Sequence, residues 1–159
     1  TGRAEVVSDR RKNPQAVLFA CTMNQVRSPM AAAIMHHFFG SRIFIESAGV
    51  HKGEHDPFVD AVMDEIGIDT RKTRPKTIEE LEEWEGLNFD LVVTLAPDAH
   101  HKALDLTRTL DMDVEYWPTP DPTLAQGSRE QRLDAYRQVR DMLLERIRRR
   151  FTRSGMGNE

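Results

Sequence analysis

AVLFA (residues 16–20) is apolar at consecutive positions rather than at alternate ones, and FDLVVTLA (residues 89–96) is apolar at all but Asp90 and Thr94. A strand with water on one face alternates apolar and polar side chains, whereas a strand covered on both faces does not. A proline-opened helical pattern follows each run, with Ser28-Pro29 after the first and Pro97, leading a helix to about Arg108, after the second. RIFIESAG (residues 42–49) alternates as a further strand, and DVEYW (residues 113–117) reads as a fourth. Strands that alternate with helices predict an α/β fold: a parallel sheet with helices on both faces.

The helices carry their own signals. Ser28 offers an N-cap hydroxyl and Pro29 suits a first turn. Met30, Ala33, Ile34, His37 and Phe38 then recur at helical spacing until Gly40. Asp56 caps a second helix that holds Phe58, Val62 and Ile66 on one face and stops at Gly67. TIEELEEWEG (residues 77–86) reads as a short acidic helix with a solvated face. Ser128 and Gln131 form a capping box, and Leu133, Tyr136, Val139, Leu143 and Ile147 point a last helix at the core. A chain of 159 residues suits one compact domain. Residues 1–14 and 153–159 read as mobile ends, leaving residues 15–152 as a single domain.

Charge and cysteine usage narrow the function. The formal net charge of −4 supplies no basic field for nucleic acid. The basic stretch RIRRRFTR (residues 146–153) reads as a helix end, where cations suit the dipole. No apolar run approaches the ~20 residues that span a bilayer, so no membrane partner is expected. One cysteine excludes an internal disulfide framework and a cysteine-rich zinc site, and a free thiol suits a reducing cytoplasm.

That cysteine, Cys21, stands where the first apolar run ends, and Arg27 follows after five intervening residues. A loop of this length between a buried strand and a helix start can turn its N–H groups inward around one tetrahedral oxyanion. Arg27 adds a planar fork that holds two oxygens at once. A thiol at the base of such a positive cup is favoured as thiolate, the form that attacks phosphorus. The Ser28 hydroxyl can donate to that sulfur, and Asn24 tolerates left-handed backbone and can brace the loop. A lone cysteine at a strand end is ordinarily a small buried hydrophobe. The succession of strand, cysteine, five residues, Arg-Ser-Pro and helix favours the reactive alternative. Ligands in open parallel sheets sit at the carboxyl ends of the strands. The Cys21 loop follows the first strand and the Asp121 loop the fourth, so both should open on one edge.

On Cys21, Asn24, Arg27, Ser28 and Pro29 the chain resembles the low-molecular-weight protein tyrosine phosphatases, whose signature is strand–C-x-x-N-x-x-R-S-P–helix. SAG (residues 47–49), Asp56, Pro57 and Ala61, GID (residues 67–69) and FDLVVTL also resemble family landmarks. The resemblance runs from Ala16 to Phe151. It implies a three-layer fold with a four-stranded parallel sheet in the order 2-1-3-4. It implies a cysteinyl-phosphate intermediate on Cys21, with Arg27 and the loop residues Thr22, Met23, Asn24, Gln25, Val26 and Ser28 around the phosphoryl group. It also implies that Asp121, between Pro120 and Pro122, is the general acid. No metal or other cofactor is implied. The implied ligands are phosphorylated proteins, small phosphomonoesters, and oxyanions such as phosphate or sulfate.

The sequence also departs from the family. Members commonly carry an aromatic pair after the Asp-Pro and an aromatic residue after the SAG segment. Here Thr123 and Leu124 follow Asp121-Pro122, and VHKGEH (residues 50–55) has His51 and His55 but no aromatic ring. His51, Thr123 and Leu124 are therefore the expected rim of the substrate slot. Val26 stands where many members have a second cysteine, so oxidised Cys21 would need an external thiol. Arg71 occupies the stretch where members carry a histidine that braces the loop asparagine. Met23 replaces a small residue and Ala96 an acidic one. The pairs His36-His37 and His100-His101 point ~100° apart on their helices, one of each toward the core edge, and make poor metal ligands.

Three functions remain open at this level. The first is a phosphomonoester hydrolase of the tyrosine phosphatase type. The second is an arsenate reductase, which with one cysteine would depend on glutathione or glutaredoxin. The third is a non-catalytic oxyanion- or phosphoprotein-binding module, against which the joint presence of Cys21, Arg27 and Asp121 argues.

Overall fold

A computed structural model describes residues 14–151. The expected mobile ends, apart from Pro14, lie outside the described residues. Four parallel strands form one sheet in the order β2-β1-β3-β4: β1 (Ala16–Cys21), β2 (Phe44–Gly49), β3 (Leu91–Thr94) and β4 (Asp113–Tyr116). Five helices connect and flank them: α1 (Arg27–Phe39), α2 (Pro57–Asp64), α3 (Ile78–Glu85), α4 (Pro97–Leu106) and α5 (Arg129–Phe151). The α/β class and the strand order are those expected.

The consecutive apolar residues of β1 divide between two cores, as a strand covered on both faces requires. Val17, Phe19 and Cys21 enter the layer packed by α1, α2 and α5. Ala16, Leu18 and Ala20 enter the layer packed by α3 and α4. β3 divides in the same way, with Leu91 and Val93 on the first side and Val92 on the second. No helix among the described residues is long and apolar enough to cross a membrane.

The last helix follows its sequence signals. Both halves of the capping box form, Ser128 N–H on Gln131 Oε1 at 2.8 Å and Gln131 N–H on Ser128 Oγ at 3.1 Å. Leu133, Tyr136, Val139, Leu143 and Ile147 are all buried. Asp56 caps α2 by accepting from Phe58 N–H at 2.8 Å. Arg137 and Arg140 of α5 both grip Glu65 just beyond α2, and their hydrogen bonds hold its carboxyl below the usual range.

Elsewhere the sequence reading needs correction. The buried side of α1 is Met30, Ala31, Ile34, Met35 and Phe39, while His36, His37 and Phe38 are all exposed. Of the expected face, Met30 and Ile34 are buried and Ala33 packs partly buried against the core, whereas His37 and Phe38 are turned toward solvent. Spacing alone allows either stripe. Packing of Phe39 on Phe151 at 6.2 Å between ring centroids selects the observed one. Ser28 does not cap α1, which starts one residue earlier at Arg27, and its hydroxyl is buried. α2 ends at Asp64, and its buried residues are Val59, Val62 and Met63. Tight turns then carry the chain to Gly67, whose φ of 80° favours glycine.

Ile34 is fully buried at the centre of the α1–sheet layer. Ile34→Ala is expected to lower stability by about 2–5 kcal/mol, read as a lower urea midpoint at unchanged slope.

Candidate active site

The loop between β1 and α1 is shaped by where its carbonyls go. Those of Cys21, Thr22 and Met23 accept from the N–H groups of Val50, His51 and Gly53 at 3.1, 2.8 and 2.9 Å. The segment after β2 thus continues the pairing along the outside of the loop. A Cβ on Gly49 would lie 2.6 Å from Asn24 N and 2.4 Å from His51 O, so only glycine permits this approach.

Asn24 holds the turn. Its φ of 50° makes it the only described non-glycine residue with left-handed backbone, and its side chain is fully buried. Its Oδ1 accepts from Lys76 N–H at 2.9 Å, which fixes the amide orientation. Its Nδ2 donates to Ser28 Oγ at 2.8 Å and to Ser47 Oγ at 3.0 Å. Because Ser28 Oγ accepts from Asn24, its own hydrogen can go to Cys21 Sγ, 3.0 Å away. The asparagine is braced by Ser47 and the Lys76 backbone. Arg71 lies elsewhere, exposed and paired with Asp64 and Asp69.

Arg27 is largely buried and reaches across to the loop after β4. Its Nη1 donates to Thr119 O at 3.1 Å, and its Nη2 lies 3.5 Å from Thr22 Oγ1 and 4.0 Å from Asp121 Oδ2. Thr22 Oγ1 in turn donates to Asp98 Oδ1 at 2.9 Å. Asp121 caps a short 3-10 turn, Pro122–Leu124. Its Oδ1 accepts from Thr123 N–H at 3.0 Å and from Thr123 Oγ1 at 2.7 Å, while Oδ2 is the oxygen nearer Arg27.

Cys21, Met23, Gln25, Val26, Arg27, Asp121 and Thr123 line one small cavity of about 60 Å³. Cys21 is only 2% exposed. The structure therefore brings together the three residues singled out from sequence. Of the expected rim, Thr123 lines the cavity. His51 is exposed beside Thr22 and Leu124 is 75% exposed, both outside the lining. A larger groove of about 720 Å³ runs along α1 and the outer side of β2, and touches none of Cys21, Arg27 and Asp121.

Several contributors were not anticipated: Ser47, Lys76, Asp98 and Thr119. Asp98 had a legible signal, since it opens the helix after β3 and so stands at the same sheet edge. Ser47, Lys76 and Thr119 act through tertiary contacts that no local pattern announces. Among the described residues no three His, Cys, Asp or Glu side chains converge as a metal site requires. His36 and His37 are both exposed, whereas the His100 ring stacks on Tyr116 at 4.5 Å.

Comparison with known proteins agrees with this geometry. The family described as "Low molecular weight phosphotyrosine protein phosphatase" matches over residues 16–154. An arsenate reductase of Shouchella clausii is 33% identical over 140 residues, covering 87% of this chain and 96% of the relative. Among solved structures, an arsenate reductase in the phosphate-binding state superposes with a TM-score of 0.68 at 26% identity, covering 85% of this chain and 95% of that one. A low-molecular-weight protein tyrosine phosphatase from T. tengcongensis superposes with a TM-score of 0.67 at 25% identity, covering 84% and 95%. The chain belongs to the low molecular weight phosphotyrosine protein phosphatase family.

Proposed function

We propose that the protein hydrolyses phosphomonoesters through a cysteinyl-phosphate intermediate. The observation that carries this reading is the placement of Cys21, Arg27 and Asp121 around one cavity sized for a small oxyanion. In the first step the Cys21 thiolate attacks phosphorus and the bond to the leaving oxygen breaks. Asp121 gives that oxygen its proton. In the second step Asp121 takes a proton from water, the water oxygen attacks phosphorus, and the P–S bond breaks to restore the thiolate. Arg27 and the loop N–H groups stabilise the equatorial oxygens in both steps. Turnover of p-nitrophenyl phosphate tests the reading. An acidic optimum is expected, because Cys21 must be ionised while Asp121 is protonated.

The Thr123 contacts suggest which oxygen carries that proton. Both Thr123 donors occupy Oδ1, so the proton belongs on Oδ2, the oxygen nearer Arg27. Thr123 is then a positioning residue for the acid. Thr123→Val is expected to lower kcat about tenfold, more for poorly leaving alcohols than for p-nitrophenol, while Thr123→Ser keeps the parental value. A valine variant with parental kcat on both kinds of leaving group would remove Thr123 from the mechanism.

The second reading is arsenate reduction, favoured by the name of the Shouchella clausii relative. Arsenate shares the shape of phosphate and suits the same cup. With one cysteine in the chain, the two electrons must come from an external thiol such as glutathione, with glutaredoxin closing the cycle. Arsenate-dependent oxidation of NADPH through a glutathione and glutaredoxin system, absent with phosphate, would support it. Hydrolysis of p-nitrophenyl phosphate with no such oxidation would set it aside.

A further inference from the structure

The segment after β2 leads from the cup to a group of aromatic and basic side chains. Gly53 N–H is bonded to Met23 O of the cup, and Asp56 lines a narrow cleft with Asn24 and Gln25. Phe58 follows at the start of α2. The Tyr136 ring meets it edge-on at 5.2 Å, and the Tyr136 hydroxyl donates to Asp56 Oδ2 at 2.7 Å. The guanidinium carbons of Arg129 and Arg132 stand 5.0 and 4.8 Å from the centre of the Phe58 ring. Arg129, Arg132 and Tyr136 thus gather on one side of α5 around a single aromatic residue.

These two arginines differ from their neighbours on the same helix. Arg137 is paired with Glu65 and Glu130, and Arg140 with Glu65 and Asp141. Arg129 and Arg132 are exposed, and neither has a carboxylate within ion-pair distance among the described residues. Each guanidinium lies within cation–π distance of the Phe58 ring while its residue stays exposed, and an exposed guanidinium suits a carboxylate. From Gly53 to Phe58 is five residues, which bounds their backbone separation at about 18 Å for a fully extended chain. An extended peptide covers the same distance in about five residues.

We infer that Arg129 and Arg132, braced on Phe58, dock an acidic side chain of a protein substrate, an Asp or Glu within about five residues of the phosphorylated residue. The inference rests on the hydrolase reading and adds a substrate class to it. Neither arginine lines the Cys21 cavity, so a small phosphomonoester has nothing to gain from them.

The test compares two phosphotyrosine peptides of equal length, one flanked by glutamates and one by lysines, with p-nitrophenyl phosphate alongside. The acidic peptide is expected to have about tenfold higher kcat/KM at low salt. That preference should shrink in about 1 M salt, where the screening length is only ~3 Å. The double variant R129E/R132E should reverse the preference, and R129Q/R132Q should abolish it. In both variants p-nitrophenyl phosphate turnover should stay at the parental level, which also reports that they fold. Equal turnover of the two peptides by the parent, an unchanged preference in the double variants, or hydrolysis of the small ester with neither peptide accepted would each overturn the inference. Failure to hydrolyse p-nitrophenyl phosphate would instead sink the hydrolase reading, and this one with it.

Discussion

Cys21→Ser is expected to abolish turnover of p-nitrophenyl phosphate, lowering kcat by about 10⁴-fold or more, while inorganic phosphate still binds. The two outcomes separate because they draw on different parts of the cup. Chemistry needs a nucleophile that is anionic near neutral pH, and a serine hydroxyl is not. Binding draws on the loop N–H groups and Arg27, whose positions depend on Asn24, Thr119 and the segment after β2 rather than on the sulfur. The replacement is small, and Ser28 Oγ, 3.0 Å from the present sulfur, can still bond to a hydroxyl there. Activity within tenfold of the parent would place the nucleophile elsewhere. Loss of phosphate binding together with activity would mean that the cup depends on the sulfur for its shape.

Asp121→Asn is expected to reduce kcat by about 10²- to 10⁴-fold, the range associated with a positioned proton donor. The substitution keeps the size of the side chain and leaves an oxygen that can still accept from Thr123. What it removes is the acidic proton and, in the second step, the base. The loss should therefore depend on the leaving group. An alkyl phosphate, whose oxygen must be protonated as it departs, should suffer more than p-nitrophenyl phosphate, whose phenolate leaves unaided. The fall in rate on the alkaline side of the optimum should also flatten, since no carboxyl remains there to lose its proton. Equal losses on both substrates with an unchanged pH profile would remove Asp121 as the acid and direct attention to Asp98. That carboxylate also reaches the loop, through Thr22.

What the sequence disclosed about this site follows the distance over which each feature is determined. The Cys21-to-Arg27 loop is local. The strand before it, the proline after it and the left-handed preference of Asn24 all lie within a short stretch, so its shape could be anticipated. The sheet order 2-1-3-4 was expected from resemblance, since apolar runs alone do not say which strand lies beside which. On α1 the expected Met30 and Ile34 are buried, but Phe39 takes the place of Phe38, because stripes one position apart satisfy the same spacing; Phe39 packs on Phe151 at the end of α5. Ser28 was read both as a cap and as a partner for the sulfur. Only the partner geometry is present, because Asn24 turns the serine hydroxyl inward. Ser47, Lys76 and Thr119 brace the cup from three separate parts of the chain. Two of them do so through backbone groups, which every residue type possesses and no sequence motif can mark.

The solitary thiol of Cys21 at the floor of its narrow cup has a practical consequence. A thiol-selective alkylating reagent has one target in this chain, so one adduct per molecule reports on one location. A ligand that fills the cup must slow that reaction, and the degree of protection at each concentration is a binding isotherm obtained on the unmodified protein. Phosphate, sulfate, arsenate and candidate phosphopeptides can thus be ranked by occupancy alone, before any of them is turned over.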